Sequence, residues 1–255
     1  MGTSTSILIR AQARGGKFLG PDIGYSYVTV RDVSTGQILA EGMATGDSGV
    51  LTQQAAPPAN ASNGVVLQGT TPWWLTETSG NPSPTAGFLA TFDLDAPALV
   101  QITAASIANG VPSQQRTSIR MWIPPGAQLT TPPGLVLEIA GLNVEIIDPN
   151  PTVPPQSGQS IPITGWVTMM CGCKISNGTA WPTSEFVVSA DIVDSSGTTV
   201  ASTTLTIPTP NGVPSTYTGS LTCPTASGSY TLIVSAVQAS TSNTGGSAWV
   251  FSVSS

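Results

Sequence analysis

The sequence predicts an all-β protein built as two consecutive β-sandwich domains, 1–142 and 143–255, on three observations. Apolar and polar residues alternate with a period of two in segment after segment, as they do along a half-buried strand. No stretch of 11 or more residues places apolar side chains at i, i+3, i+4 and i+7 without Gly or Pro interrupting, so the helical period is absent. Gly, Pro, Asn and Asp punctuate the alternation at short intervals, which is where turns belong.

Taken in order, Ile7–Ala13 opens the series, with Ile, Ile, Ala and Ala on one face and Leu, Arg and Gln on the other. Tyr25–Val33 follows, and Val30–Ala40 reads as a hairpin with Ser34-Thr35-Gly36 at its tip. Strands are then expected at Gly87–Leu94, Ala98–Ala105, Ser118–Ile123 and Leu135–Leu142. A segment rich in Ala, Pro, Asn, Ser and Thr, 53–84, interrupts them and carries Trp73, Trp74 and Leu75. Loops of that length inside a compact domain are usually functional or mobile, so these three residues are the interaction candidates.

Asp148 to Ser157 holds four prolines in ten residues, which excludes helix and stiffens the chain. The domain limit is expected just before it, because Asn143–Ile147 already alternates. Seven strands are expected beyond that limit, at 143–148, 160–170, 185–194, 198–207, 214–222, 228–238 and 246–254, with turns at Asp194-Ser195-Ser196-Gly197 and Asn211-Gly212. That count matches an immunoglobulin-like sandwich, and Tyr230 stands where such folds place a corner tyrosine. The Asp-Pro, Pro-Pro, Gly and Ile-Pro-Ile opening resembles that of bacterial surface Ig-like domains.

In the first domain, Gly20-Pro21-Asp22-Ile23-Gly24, Val28-Thr29-Val30-Arg31-Asp32, Thr35-Gly36, Leu39-Ala40 and Thr45-Gly46-Asp47-Ser48-Gly49 combine a decorated strand, a Thr-Gly hairpin and a Gly-Asp-x-Gly turn. About 45 residues in this pattern resemble the transthyretin-like or carboxypeptidase regulatory-like sandwich. The aromatic strand usual after the last Gly is missing, since Val50-Leu51-Thr52 runs into the long segment. The resemblance implies an accessory or structural domain, and a fold alone does not specify function.

Composition narrows the chemistry. Charged residues are 8% of the chain, against about 25% in ordinary domains. Seven cations, no three of them close together in sequence, and a net charge of −6 argue against a phosphate-binding surface and hence against nucleic acid as partner. No run of 18 apolar residues suggests a membrane span. A basic and then apolar leader is not visible either, so removal of a signal, another export route and retention inside all stay open. The Ser/Thr-rich, Lys-poor composition points to an extracellular or cell-surface location.

Histidine is absent, which removes Ser-His-Asp and Cys-His catalysis and imidazole-based zinc or copper sites. Neither Lys17 nor Lys174 lies in a serine-lysine motif, and the thirteen acids form no nameable carboxylate pair. The chain is therefore expected not to be an enzyme and to carry no cofactor. Met169-Met170-Cys171-Gly172-Cys173 offers soft sulfur donors of the kind that select Cu(I); core packing at a strand end is the plainer reading. Asp93 and Asp95, or Asp191 and Asp194, fall short of a calcium loop and read as solvated or turn-flanking acids. Of the three cysteines, Cys173 is expected to bridge Cys223, since Cys171 continues the strand alternation and should point inward. Asn60-Ala61-Ser62 and Asn177-Gly178-Thr179 are glycosylation acceptors only in a host that uses them.

Function is then expected to be structural: a subunit of an extracellular filament, surface layer or sheath. Its copies would self-associate through strand edges, Ile7–Ala13 and Ala248–Val253 at the two ends of the chain, and through neutral polar faces. A secreted ligand-binding module for a carbohydrate or protein partner, using the Trp73-Trp74 loop, is the alternative. A copper-binding protein is the third reading.

Overall fold

The computed structural model describes residues 2–21, 25–46, 86–108, 111–131, 134–149, 155–208 and 215–254. The 53–84 segment with Trp73, Trp74 and Leu75 lies outside them, as does the Asn211-Gly212 turn. The chain divides into two compact units: Met1–Ala140 with Met170–Gly172, and Gly141–Met169 with Cys173–Ser255. Both are β-sandwiches. Among the described residues no helix is long and apolar enough to cross a membrane.

The first unit contains β1 (Thr3–Ala13), β2 (Tyr25–Asp32), β3 (Ile38–Met43), β4 (Phe88–Leu94), β5 (Ala98–Ala108), β6 (Val111–Ile123), β7 (Gln128–Leu129) and β8 (Leu135–Ile139). One sheet runs β4-β1-β7, with β8 also on β1; the other runs β3-β2-β5-β6. The alternating residues face inward as expected. Ile7, Ile9, Ala11, Val28, Val30, Ala90, Phe92, Val100, Ile102, Ala104, Leu137 and Ile139 are all buried.

Two strand readings change here. The first strand is no edge: β1 pairs antiparallel with β4 and parallel with β7 and β8, so it is the middle of its sheet. Its position at the start of the sequence says nothing about its position in the sheet. Likewise β6 is thirteen residues long and begins at Val111 rather than near Ser118. Pro112-Ser113-Gln114-Gln115 shows no apolar alternation in sequence, and proline is tolerated there because β6 is an edge strand, paired with β5 alone among the described residues.

The second unit holds β9 (Leu142–Asp148), β10 (Ser160–Met169), β11 (Phe186–Asp194), β12 (Thr199–Leu205), β13 (Thr216–Thr222), β14 (Gly228–Gln238) and β15 (Asn243–Val253), plus one 3-10 turn at Thr183–Glu185. The proline-rich run lies inside this unit, between β9 and β10. The sheets are β13-β10-β9 and β12-β11-β14-β15. This is an Ig-like sandwich whose fourth strand, β12, sits on the β11 sheet, unlike the constant-type arrangement that puts four strands on the other side. Tyr230, at the start of β14, donates from its hydroxyl to Ala226 O at 3.0 Å, the contact that defines a tyrosine corner.

One close approach organises the β13-β10-β9 sheet. Tyr217 on β13 is opposite Gly165 on β10, and its fully buried ring crosses that glycine. Its hydroxyl donates to Glu145 O on β9 at 2.6 Å. A Cβ at Gly165 would overlap both Glu145 O and the Tyr217 hydroxyl. Burial first, and the Glu145 carboxylate second, hold the phenol protonated far above its ordinary value.

Two hairpin tips repeat one device. Asp32 accepts from Ser34 N at 2.7 Å and Thr35 N at 2.9 Å, and Asp194 accepts from Ser196 N and Thr198 N, both at 2.9 Å. Gly36 and Gly197 complete the turns at φ 73° and 83°, a region costly for any residue with a Cβ. The Ser34 and Ser196 hydroxyls, donating to Asp32 and Asp194 at 2.6 Å each, stabilise the carboxylate form most, and the backbone N–H bonds add to them, so both acids titrate below their ordinary range.

Candidate interaction surfaces

Chemistry-bearing residues are dispersed. Among the described residues no three His, Cys, Asp or Glu side chains gather where a metal ion could sit. Met169, Met170 and Cys171 are completely buried, which fits the packing reading of the Met-Met-Cys-Gly-Cys segment. Asp194 is used by its own turn. Asp93 and Asp95 lie exposed at the end of β4.

The Cys173–Cys223 bridge is corrected by the strand register. All three cysteines are thiols. Cys223 follows Thr222, which pairs with Ser160 at the start of β10, and Cys223 N donates to Gln159 O. Cys173 follows the opposite end of that strand, where its carbonyl accepts from Met169 N. The ten residues of β10 separate the two by about 30 Å at ~3.3 Å per residue, whereas a disulfide needs Cα atoms within about 7 Å. Spacing along the chain could not reveal this, because it depends on which end of β10 the returning strand β13 finishes beside.

Two surfaces stand out. The first is β15, the edge of its sheet. It pairs with β14 through eleven consecutive residues, with no register shift. Its first residue, Asn243, is buried and accepts from Gly141 N at 3.0 Å, anchoring that end. From Ser247 to Val253, no strand among the described residues pairs with its other side. The sequence of β15, NTGGSAWVFSV, contains no charge and no proline, the two devices that most often blunt an edge. The outward face of the sheet is equally neutral. Val187 and Val237 are paired, as are Val193, Thr231 and Val250 in a row; Val250 is 66% exposed and Val187 58%. Asp191 is the one charged side chain in these rows.

The second is the outward face of β3-β2-β5-β6. Across β2, β5 and β6 the register aligns Arg31, Gln101 and Arg120, then Thr29, Thr103 and Ser118, then Tyr27, Ala105 and Arg116; Leu99 pairs with Trp122 at one end. Trp122 is 67% exposed. Arg120 Nε donates to Gln101 Oε1 at 3.1 Å, and Arg31 Nη1 to Gly36 O at 3.3 Å. Glu41 on β3 accepts from Tyr27, which raises the phenol above its ordinary range. Counting basic residues along the chain misses this face, because Arg31 reaches it from a distant strand. The period-two run Arg116-x-Ser118-x-Arg120-x-Trp122 was its one visible signal.

No protein-family model matches the chain, and no curated protein matches it in sequence. Among solved structures, the chain is similar to the Clostridium thermocellum CbhA fibronectin(III)-like modules, at 11% identity over 98% of this chain and 93% of that one, with a TM-score of 0.25. It is also similar to Escherichia coli alpha-2-macroglobulin activated by porcine elastase, at 13% identity and a TM-score of 0.23, covering 99% of this chain and 22% of that one. Overlaps at these scores carry no argument about function; the sandwich assignment rests on the strand pairing described above.

Proposed function

We propose that the chain is a non-enzymatic structural subunit of an extracellular or cell-surface assembly, a filament, surface layer or sheath, whose copies pair through the β15 edge. The observation that carries this reading is the β15 edge: β9 packs close beside it at Gly245, but among the described residues no strand forms a ladder on its outer side, and the strand is uncharged and without proline, beside the neutral Val187, Val237 and Val250 face. Edge strands of this kind template pairing with another chain. Association here rests on backbone hydrogen bonds and on apolar burial at roughly 25 cal/mol per Å², because exposed ion pairs contribute only about 0–1 kcal/mol each. The low charge and the Ser/Thr-rich composition support the location. The first unit is taken as a transthyretin-like accessory domain; its support is the sheet order, with β1 between β4 and the parallel β8, and β2 between β3 and β5.

Sedimentation of the protein in low and in molar salt tests the reading. Oligomers should persist in molar salt, since screening removes only charge–charge terms. The variant Ala248→Lys/Val250→Lys, at two exposed positions of β15, should sediment as a monomer. A wild-type monomer at every concentration, or dissociation by salt alone, refutes it.

A further inference from the structure

We infer that the outward face of the β3-β2-β5-β6 sheet binds an anionic polysaccharide, with Trp122 as the stacking platform and Arg120, Arg31 and Arg116 as partners of its carboxylate or sulfate groups. The chain has seven cations in 255 residues and a net charge of −6. Three of the seven project from one side of this one sheet, against the single carboxylate Glu41 in the same rows. A cation concentration so opposed to the charge of the whole molecule selects an anionic occupant.

The layout also says what kind of anion. Arg120 and Trp122 are two residues apart on β6, about 7 Å, and Arg31 lies two strands over from Arg120, about 10 Å. Arg116 is about 14 Å further along β6. Positive charges are therefore sparse, and Gln101, Thr103, Thr29 and Ser118 fill the surface between them with amides and hydroxyls. A polymer with widely spaced anionic groups and many hydroxyls matches that mixture. A nucleic acid carries a phosphate at every residue and would meet too few cations on a chain of net negative charge. Trp122 presents an indole that sugar C–H faces can cover, and apolar Leu99 is its cross-strand partner. The bond to Gln101 orients the Arg120 guanidinium while the other N–H groups of that side chain stay available for a forked contact with a carboxylate.

The test uses the full chain in affinity electrophoresis through gels containing polygalacturonate, dextran sulfate, neutral dextran or poly(dT). Retardation is expected with polygalacturonate or dextran sulfate and not with neutral dextran. Trp122→Ala and Arg120→Gln should each weaken it about tenfold, the scale of a lost aromatic stack. Both residues are exposed, so the thermal melt of each variant should match wild type. Sedimentation of Trp122→Ala should also match wild type, which separates this face from the β15 edge. The inference is overturned if neither anionic polymer retards the protein, if neutral dextran retards it equally, or if poly(dT) binds more tightly. It is equally overturned if Trp122→Ala changes self-association instead of retardation.

Discussion

Gly165→Ala would add one methyl group where the second unit has no space for it. The Cβ would overlap the Glu145 carbonyl on β9 and the Tyr217 hydroxyl reaching over from β13. Neither obstacle is the end of a loose side chain: one is neighbouring backbone, and the other belongs to a ring with no exposed surface. Forced overpacking costs about 1–3 kcal/mol. Displacing the phenol also breaks the 2.6 Å bond to Glu145 O, and a buried polar group left without its partner costs about 1–3 kcal/mol more. Together these predict a loss of about 2–6 kcal/mol, a large share of the ~5–15 kcal/mol that holds a typical domain. Tyr217→Phe removes only the hydroxyl and should cost about 1–2 kcal/mol, so it supplies the reading if Gly165→Ala does not fold. Urea unfolding of both variants, followed by far-UV circular dichroism, measures the two losses. Gly165→Ala within about 0.5 kcal/mol of wild type, the range of an ordinary surface change, would show that β9 and β13 yield easily and that the close approach is not a constraint.

Tyr230→Phe should destabilise the same unit by about 1 kcal/mol, read by urea midpoint, because it deletes the bond to Ala226 O while keeping the ring beside Phe251. Asp32 and Asp194 should titrate below 3.8 in carboxyl-carbon NMR. Since their folded pKa values are depressed, their contribution to stability is complete above the unfolded value and is lost as pH falls through the folded one; midpoints at or above 3.8 would refute the turn bonding. Deleting residues 1–12 should abolish the cooperative melt of the first unit, because it removes the centre of a sheet. Deleting the last eight residues should leave that melt in place and weaken self-association. Mass spectrometry without reductant should find no Cys173–Cys223 link, and Cys223, whose thiol burial pushes up, should react slowly with thiol reagents near neutral pH and faster once unfolded.

The strands of the second unit were legible because the clearest of them alternate between a buried and a solvated face, as in Phe186–Asp194 and Gly228–Gln238. Tyr230 was legible for a related reason: the corner joins it to Ala226, four residues back, so the whole device is local. Val111–Thr117 was not, since Pro112, Ser113, Gln114 and Gln115 offer no apolar alternation and only the pairing with β5 extends β6 through them. Asp194 was readable as a turn residue, but its use of one carboxylate oxygen for several donors appears only in the folded hairpin.

The sequence by itself determined the all-β class, the period-two elements and the shortage of charge, all of which depend on neighbours within a few residues. Tertiary structure decided which strands became edges, which end of β10 received Cys223, and that Arg31, Arg116 and Arg120 share a face with Trp122. Those outcomes depend on pairing between strands far apart in the chain. Alternation specifies which side of a strand is buried, but not which strand lies next to it.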